Sequence, residues 1–148
     1  MTDVTVRFKR LHPDFKLPKH ATPGSAGMDM IACIDEPVTL LPGDRTAISL
    51  GCAVEVPVGY EIQVRPRSGL ALKEGVTVLN TPGTIDADFR GTCKVILVNH
   101  SKEWVKIQPL DRVCQFVVCK LPSVSVEEVA ELSDTERGQG GFGSTGKQ

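Results

Sequence analysis

The sequence predicts an all-β domain of the sandwich, jelly-roll or barrel type, and three observations predict it. Apolar and polar residues alternate in several short runs, turn residues interrupt those runs, and ten prolines discourage long helices. Many short strands at regular spacing are the signature of such architectures.

The elements follow in order. VTVRF, Val4 to Phe8, alternates as a half-buried strand does. LPGD, Leu41 to Asp44, is a turn signal. AVEVPVGYEIQVRP, Ala53 to Pro66, alternates on both sides of a central Pro-Val-Gly turn. SGLALKEG, Ser68 to Gly75, is bounded by glycines and predicts one or two helical turns. KVILVN, VKIQPL and RVCQFVVCKL are rich in β-branched residues and read as strands, with NHSKE, Asn99 to Glu103, as a turn between the first two. SVEEVAEL, Ser125 to Leu132, is helical by propensity, yet the alternation of the preceding VSV pulls it towards strand. Composition changes once, near Ser133, which divides the chain into a body, 1–133, and a polar, glycine-rich arm, 134–148.

The 148 residues suffice for one domain with a true core. Lys and Arg number 17 against 18 Asp and Glu, a net charge of −1, which argues against a nucleic-acid partner. No apolar run approaches the roughly 18 residues of a membrane span, and the first residues lack the apolar core of a signal peptide. A cytoplasmic protein without a membrane partner is expected. The five cysteines, Cys33, Cys52, Cys93, Cys114 and Cys119, are odd in number and form no C-x-x-C pair. Reduced, buried thiols are therefore expected rather than a disulfide framework or a metal site.

Five stretches carry more polar chemistry than packing requires. SAGMDM holds Asp29 two residues after Gly27. RPRSGLA offers the guanidinium fork of Arg67, the hydroxyl of Ser68 and the approachable backbone of Gly69. Ser68 could cap a helix beginning there, leaving free N–H groups to face an anion, or the stretch could be an ordinary surface turn. In LNTPGTIDADFRG, Asp86 and Asp88 share one face if the strand continues through them. Alternatively they stand in a turn and bond nearby backbone N–H groups. As a general base, one of them would activate a water, a contribution of about 10²- to 10⁴-fold in rate. RVCQ adds Gln115, while Arg112 reads as an ordinary turn cation. RGQGGFGSTG, Arg137 to Gly146, combines a cation, one aromatic ring, two hydroxyls and five glycines. It lacks the G-K-[ST] of a P-loop, but suits a lid over a ligand with both a ring and phosphates.

In this order and spacing the five stretches resemble the five motifs of the homotrimeric dUTPases, over about Pro18 to Gly146. The resemblance implies a jelly-roll domain that trimerises, with sites at subunit interfaces and a swapped C-terminal segment. One chain's arm would close over a site made by the other two. The implied reaction is hydrolysis of dUTP to dUMP and pyrophosphate by water attack at the α-phosphorus, with Mg²⁺ carried on the triphosphate. That chemistry keeps uracil out of DNA and supplies dUMP for thymidylate synthesis. By resemblance, Asp86 activates the water and meets the 3′-OH, and Phe89 packs beneath the sugar where a 2′-OH has no room. Asn80 and the segment Gly83, Thr84, Ile85, with Lys94, read the uracil. Arg67, Ser68, Gly69 and Gln115 bind the phosphates. Asp29 holds waters of the magnesium shell. From the arm, Phe142 stacks on uracil while Arg137, Gly143, Ser144 and Thr145 clamp the γ-phosphate. Phe89 stands where the family most often has tyrosine, and Cys114 where it has alanine. The dCTP deaminases are similar in fold but lack the RGxGGFGSTG ending.

Overall fold

The computed structural model describes residues 3–146, and among them eleven strands and one helix succeed one another. The strands are β1 (Arg7–Arg10), β2 (Met28–Ile31), β3 (Val38–Leu40), β4 (Arg45–Ser49), β5 (Cys52–Glu55), β6 (Tyr60–Arg65), β7 (Val76–Val78), β8 (Gly83–Ile85), β9 (Lys94–Asn99), β10 (Val105–Ile107) and β11 (Arg112–Lys120). The helix, α1 (Ser68–Glu74), falls where the glycine-bounded stretch predicts it and ends at Gly75, whose φ of 66° is natural for glycine.

All pairings are antiparallel. One sheet has the order β2-β11-β6-β8, a second β4-β9-β7, and two ribbons, β1-β5 and β10-β3, complete the shell. Inward residues of every sheet and ribbon join one core, with Met30, Ile62 and Phe116 from the first sheet and Ile48, Val76 and Leu97 from the second. Leu40, Val54 and Ile107 come from the ribbons. This is the all-β sandwich that the alternation predicts.

Three local expectations change. The first strand begins at Arg7 rather than Val4, because the ladder to β5 starts at the Arg7–Glu55 pair. The Pro-Val-Gly turn forms, with Tyr60 N donating to Pro57 O at 3.1 Å and Gly59 at φ 87°. Its flanking strands nevertheless separate, β5 pairing with β1 and β6 with β11 and β8. Residues 125–132 are neither helix nor strand: no strand among the described residues offers them a ladder, and Val126 is 94% exposed. Either regular form needs an apolar surface to cover, and that segment meets none.

One buried polar side chain ties the second sheet to the β10-β3 ribbon. Asn99 is fully buried, donates to Leu40 O at 3.0 Å and Glu103 O at 2.8 Å, and accepts from Ser101 N at 2.9 Å. An unpaired amide there would cost about 1–3 kcal/mol, so these bonds also specify the NHSKE turn.

Candidate active site

The predicted residues fall into three groups. The first surrounds a cleft of about 320 Å³ between β8, the start of β9 and the loop joining them. Val64, Ile85, Cys93 and Val95 form its buried floor, and Asn80, Thr84, Asp86, Phe89 and Lys94 stand at its exposed margin. An apolar floor beneath a few convergent polar groups is the usual make-up of a small-molecule site. Gly83 belongs to the floor because β8 lies close on β6: a Cβ there would sit 3.1 Å from Val64 Cβ and 3.5 Å from Asn80 Nδ2.

β8 stops at Ile85, so Asp86 and Asp88 do not alternate along one strand. They occupy a turn closed by Phe89 N donating to Asp86 O at 3.2 Å, which is the turn reading of this stretch and not the shared strand face. Arg90 braces the turn, donating to Ala87 O at 2.7 Å and Phe89 O at 3.0 Å. Asp86 and Phe89 thereby line the cleft together, whereas Asp88 does not.

Cys93 belongs to a buried thiol pair. Its hydrogen bond from Cys52 lowers its pKa, and the same bond, then burial, pushes Cys52 far above the ordinary thiol range. Cys33, Cys52, Cys93 and Cys114 are all buried and free, and only Cys119 is part-exposed. Packing thiols are what the spacing predicts.

The second group assembles on the outer face of the β2-β11-β6 region. Gln115 is the cross-strand partner of both Asp29 and Arg65, so these three stand in one row. Two residues beyond Arg65, Arg67 reaches the same carboxylate, Nε to Asp29 Oδ1 at 3.1 Å, and also donates to Arg112 O at 3.1 Å. Gln115 Nε2 donates to Pro66 O at 2.9 Å, fixing the loop that carries Arg67. Gly27 makes room for that amide, since a Cβ there would lie 2.1 Å from Gln115 Oε1.

Sequence reasoning missed Arg112. Strict alternation puts it on the face opposite Gln115, but β11 carries a bulge between Arg112 and Cys114. The extra residue returns Arg112 to the Asp29 side, where Nη1 approaches Oδ2 at 3.3 Å. Val113 turns inward and is 1% exposed. The only sequence hint was the polar Arg112 and Gln115 bracketing the buried Val-Cys pair. One carboxylate between two guanidinium groups leaves this group net positive, which suits an anion. Burial, then the Asp29 carboxylate, raises the pKa of Cys114 beneath it.

Ser68 does not cap α1. The cap is Arg67, in extended conformation with no side-chain capping bond, so Ser68 is the first helical residue and its side chain is exposed beside Gly69.

Arg67, Ser68, Gly69 and Gln115 do not line the cleft. The third group, in the arm, lines neither. Beyond Leu121, whose N donates to Gly59 O at 2.8 Å, the hydrogen bonds of the described arm residues close within the arm. Arg137 Nε donates to Gly140 O at 2.8 Å, and Arg137, Gly143, Ser144 and Thr145 border one hollow. Phe142 is fully exposed. Lys147 and Gln148, which close the predicted arm, lie outside the described residues.

Among the described residues, no three His, Cys, Asp or Glu side chains gather into a metal-ligating set, and no helix is long and apolar enough to cross a membrane. Each Asp29 oxygen accepts one arginine hydrogen bond and keeps lone pairs free. That donor set fits a Mg²⁺ ion touched through its waters, the mode usual for a metal carried on phosphates.

The dUTPase family model matches residues 13–146. The deoxyuridine 5′-triphosphate nucleotidohydrolase of Syntrophotalea carbinolica is 50% identical over 146 residues, 99% of each chain. That of Fusobacterium nucleatum is 55% identical over 132 residues, 89% of this chain and 90% of the relative. Among solved structures, the dUTPase of Staphylococcus bacteriophage 80alpha with dUPNHPP superposes with a TM-score of 0.85 at 26% identity, covering 96% of this chain and 98% of its own. A mutant dUTPase of phage phi11 of S. aureus, described with a structural Mg(II) ion, superposes with a TM-score of 0.79 at 21% identity, covering 88% of this chain and 99% of its own. The jelly-roll fold is shared with both.

Proposed function

This chain belongs to the dUTPase family, an enzyme that hydrolyses dUTP to dUMP and pyrophosphate, and on that premise we propose that Asp86 activates the attacking water in a site shared between copies. The observation that carries the reading is the convergence of Asn80, Asp86, Phe89 and Lys94 on one cleft with an apolar floor. Asp86 orients a water towards the α-phosphorus and accepts its proton. Phe89 seats the deoxyribose. Asn80 and the backbone of Gly83 to Ile85, with Lys94, pair the uracil edge. Uracil and cytosine present opposite donor and acceptor patterns, so fixed polar groups would be left unpaired by the wrong base, at about 1–3 kcal/mol per atom.

Arg67, Ser68, Gly69 and Gln115 take the triphosphate, and Asp29 orders waters of its Mg²⁺. That ion supplies charge neutralisation on the phosphates. The reaction then needs positioning and electrostatic stabilisation rather than a protein nucleophile. Phe142 stacks on uracil while Arg137, Gly143, Ser144 and Thr145 hold the γ-phosphate, excluding bulk water.

The separation of the three groups within one chain supports a homotrimer whose sites combine cleft, phosphate group and arm from different copies. The exposed Val124, Val126, Val129 and Leu132, in the segment that leads into the arm, add an uncovered apolar row that a neighbouring copy would bury. Two variants test both points. Asp86→Asn lowers kcat for pyrophosphate release from dUTP by about 10²- to 10⁴-fold with little change in KM. Arg67→Ala is comparably impaired, and coassembling the two impaired variants restores activity at sites that draw intact Asp86 and Arg67 from different copies. Full activity in Asp86→Asn overturns its role. No recovery on mixing overturns the shared site.

A further inference from the structure

We propose that Gly91 is a positioning residue for sugar specificity: by lacking a Cβ it sets where the Phe89 ring lies in the cleft. The inference rests on the reading of Phe89 as the deoxyribose seat. A Cβ on Gly91 would lie 2.7 Å from Phe89 Cζ and 3.0 Å from Cε2, closer than packed carbons approach. Backbone conformation does not demand glycine here. Gly51 and Gly75 sit at φ 70° and 66°, whereas Gly91 is not in the left-handed region. The ring alone opposes a side chain at position 91.

The remaining freedom of Phe89 is small at its base and large at its tip. The turn bond from Phe89 N to Asp86 O and the Arg90 brace on Ala87 O and Phe89 O hold the backbone. Phe89 is 43% exposed, and the far edge of its ring rests against Gly91, where a hydrogen stands in place of a Cβ. A methyl group at 91 therefore displaces the ring and leaves the core intact. Displacement opens the space that refuses a 2′-OH and misplaces the sugar of the preferred substrate.

The test is a double-mutant cycle read as kcat/KM for dUTP and UTP, with melting temperature as a folding control. Gly91→Ala lowers the dUTP/UTP preference by about tenfold, mostly through KM for dUTP, because small misplacements at a reacting substrate are costly. Phe89→Leu lacks Cζ, so adding Gly91→Ala to it changes the preference no further. A wild-type preference in Gly91→Ala, alongside a lowered one in Phe89→Leu, overturns the role of Gly91 and leaves that of Phe89. An unchanged preference in Phe89→Leu overturns the sugar-seat reading, and the proposal with it. An equal loss from Gly91→Ala in both backgrounds also overturns the proposal, since glycine would then act without the ring.

Discussion

Phe116 and Phe142 carry the same side chain in opposite surroundings. Phe116 is fully buried between its neighbours in the first sheet, while Phe142 stands fully exposed at φ 49° in the arm. The contrast extends to their segments. β11 pairs on both sides and contributes Val113, Cys114 and Phe116 to the core, whereas residues 122–146 bond only among themselves. The body holds its shape by burying apolar area, and the arm has nothing of its own chain to bury against. Stability and function should therefore respond oppositely to changes in the two regions.

The largest effect expected is on stability. Phe116→Ala removes a ring from a close-packed core and should destabilise the domain by about 3–5 kcal/mol, seen as a lowered midpoint in denaturant with an unchanged slope. A cost below 1 kcal/mol would mean that the sheets pack less tightly than the burial implies. Next comes deletion of residues 134–148, which should leave that midpoint where it was and lower kcat/KM for dUTP by about a hundredfold or more, as loss of a closing lid does. A truncated enzyme that melts early would place part of the stability in the arm and break the comparison. Smallest is Phe142→Ala, for which the loss of one stacking face should raise KM for dUTP by about tenfold, with stability untouched. If kcat falls instead while KM holds, the ring acts on the transition state rather than on uracil binding.

Much of the site was legible because its chemistry is local. The pairing of Arg67 with Ser68 and Gly69, the two aspartates of GTIDADF and the glycine-rich arm stand out by composition, whereas Asn80, Phe89 and Lys94 are identified only through the resemblance to the family. The helix at Ser68 and the terminating Gly75 follow from residue preferences that act within one turn. What local reasoning left open was geometry set at a distance. Asp86 and Asp88 read either as strand neighbours or as turn residues, and the turn forms because β8 ends where its pairing with Ile62 ends. Ser68 could have capped the helix, but Arg67 holds the cap position in extended conformation and reaches Asp29.

The sequence by itself determined the all-β class and the burial of four of the five cysteine thiols, and its motifs determined the family, since alternation, side-chain polarity and turn chemistry are properties of short segments. Only the tertiary structure decided that a bulge in β11 brings Arg112 onto Asp29, that Gly91 accommodates the Phe89 ring, and that the cleft and the Asp29–Arg67–Gln115 cluster stand apart. Strand register and close approach depend on partners tens of residues away, and one inserted residue reverses which side chains share a face.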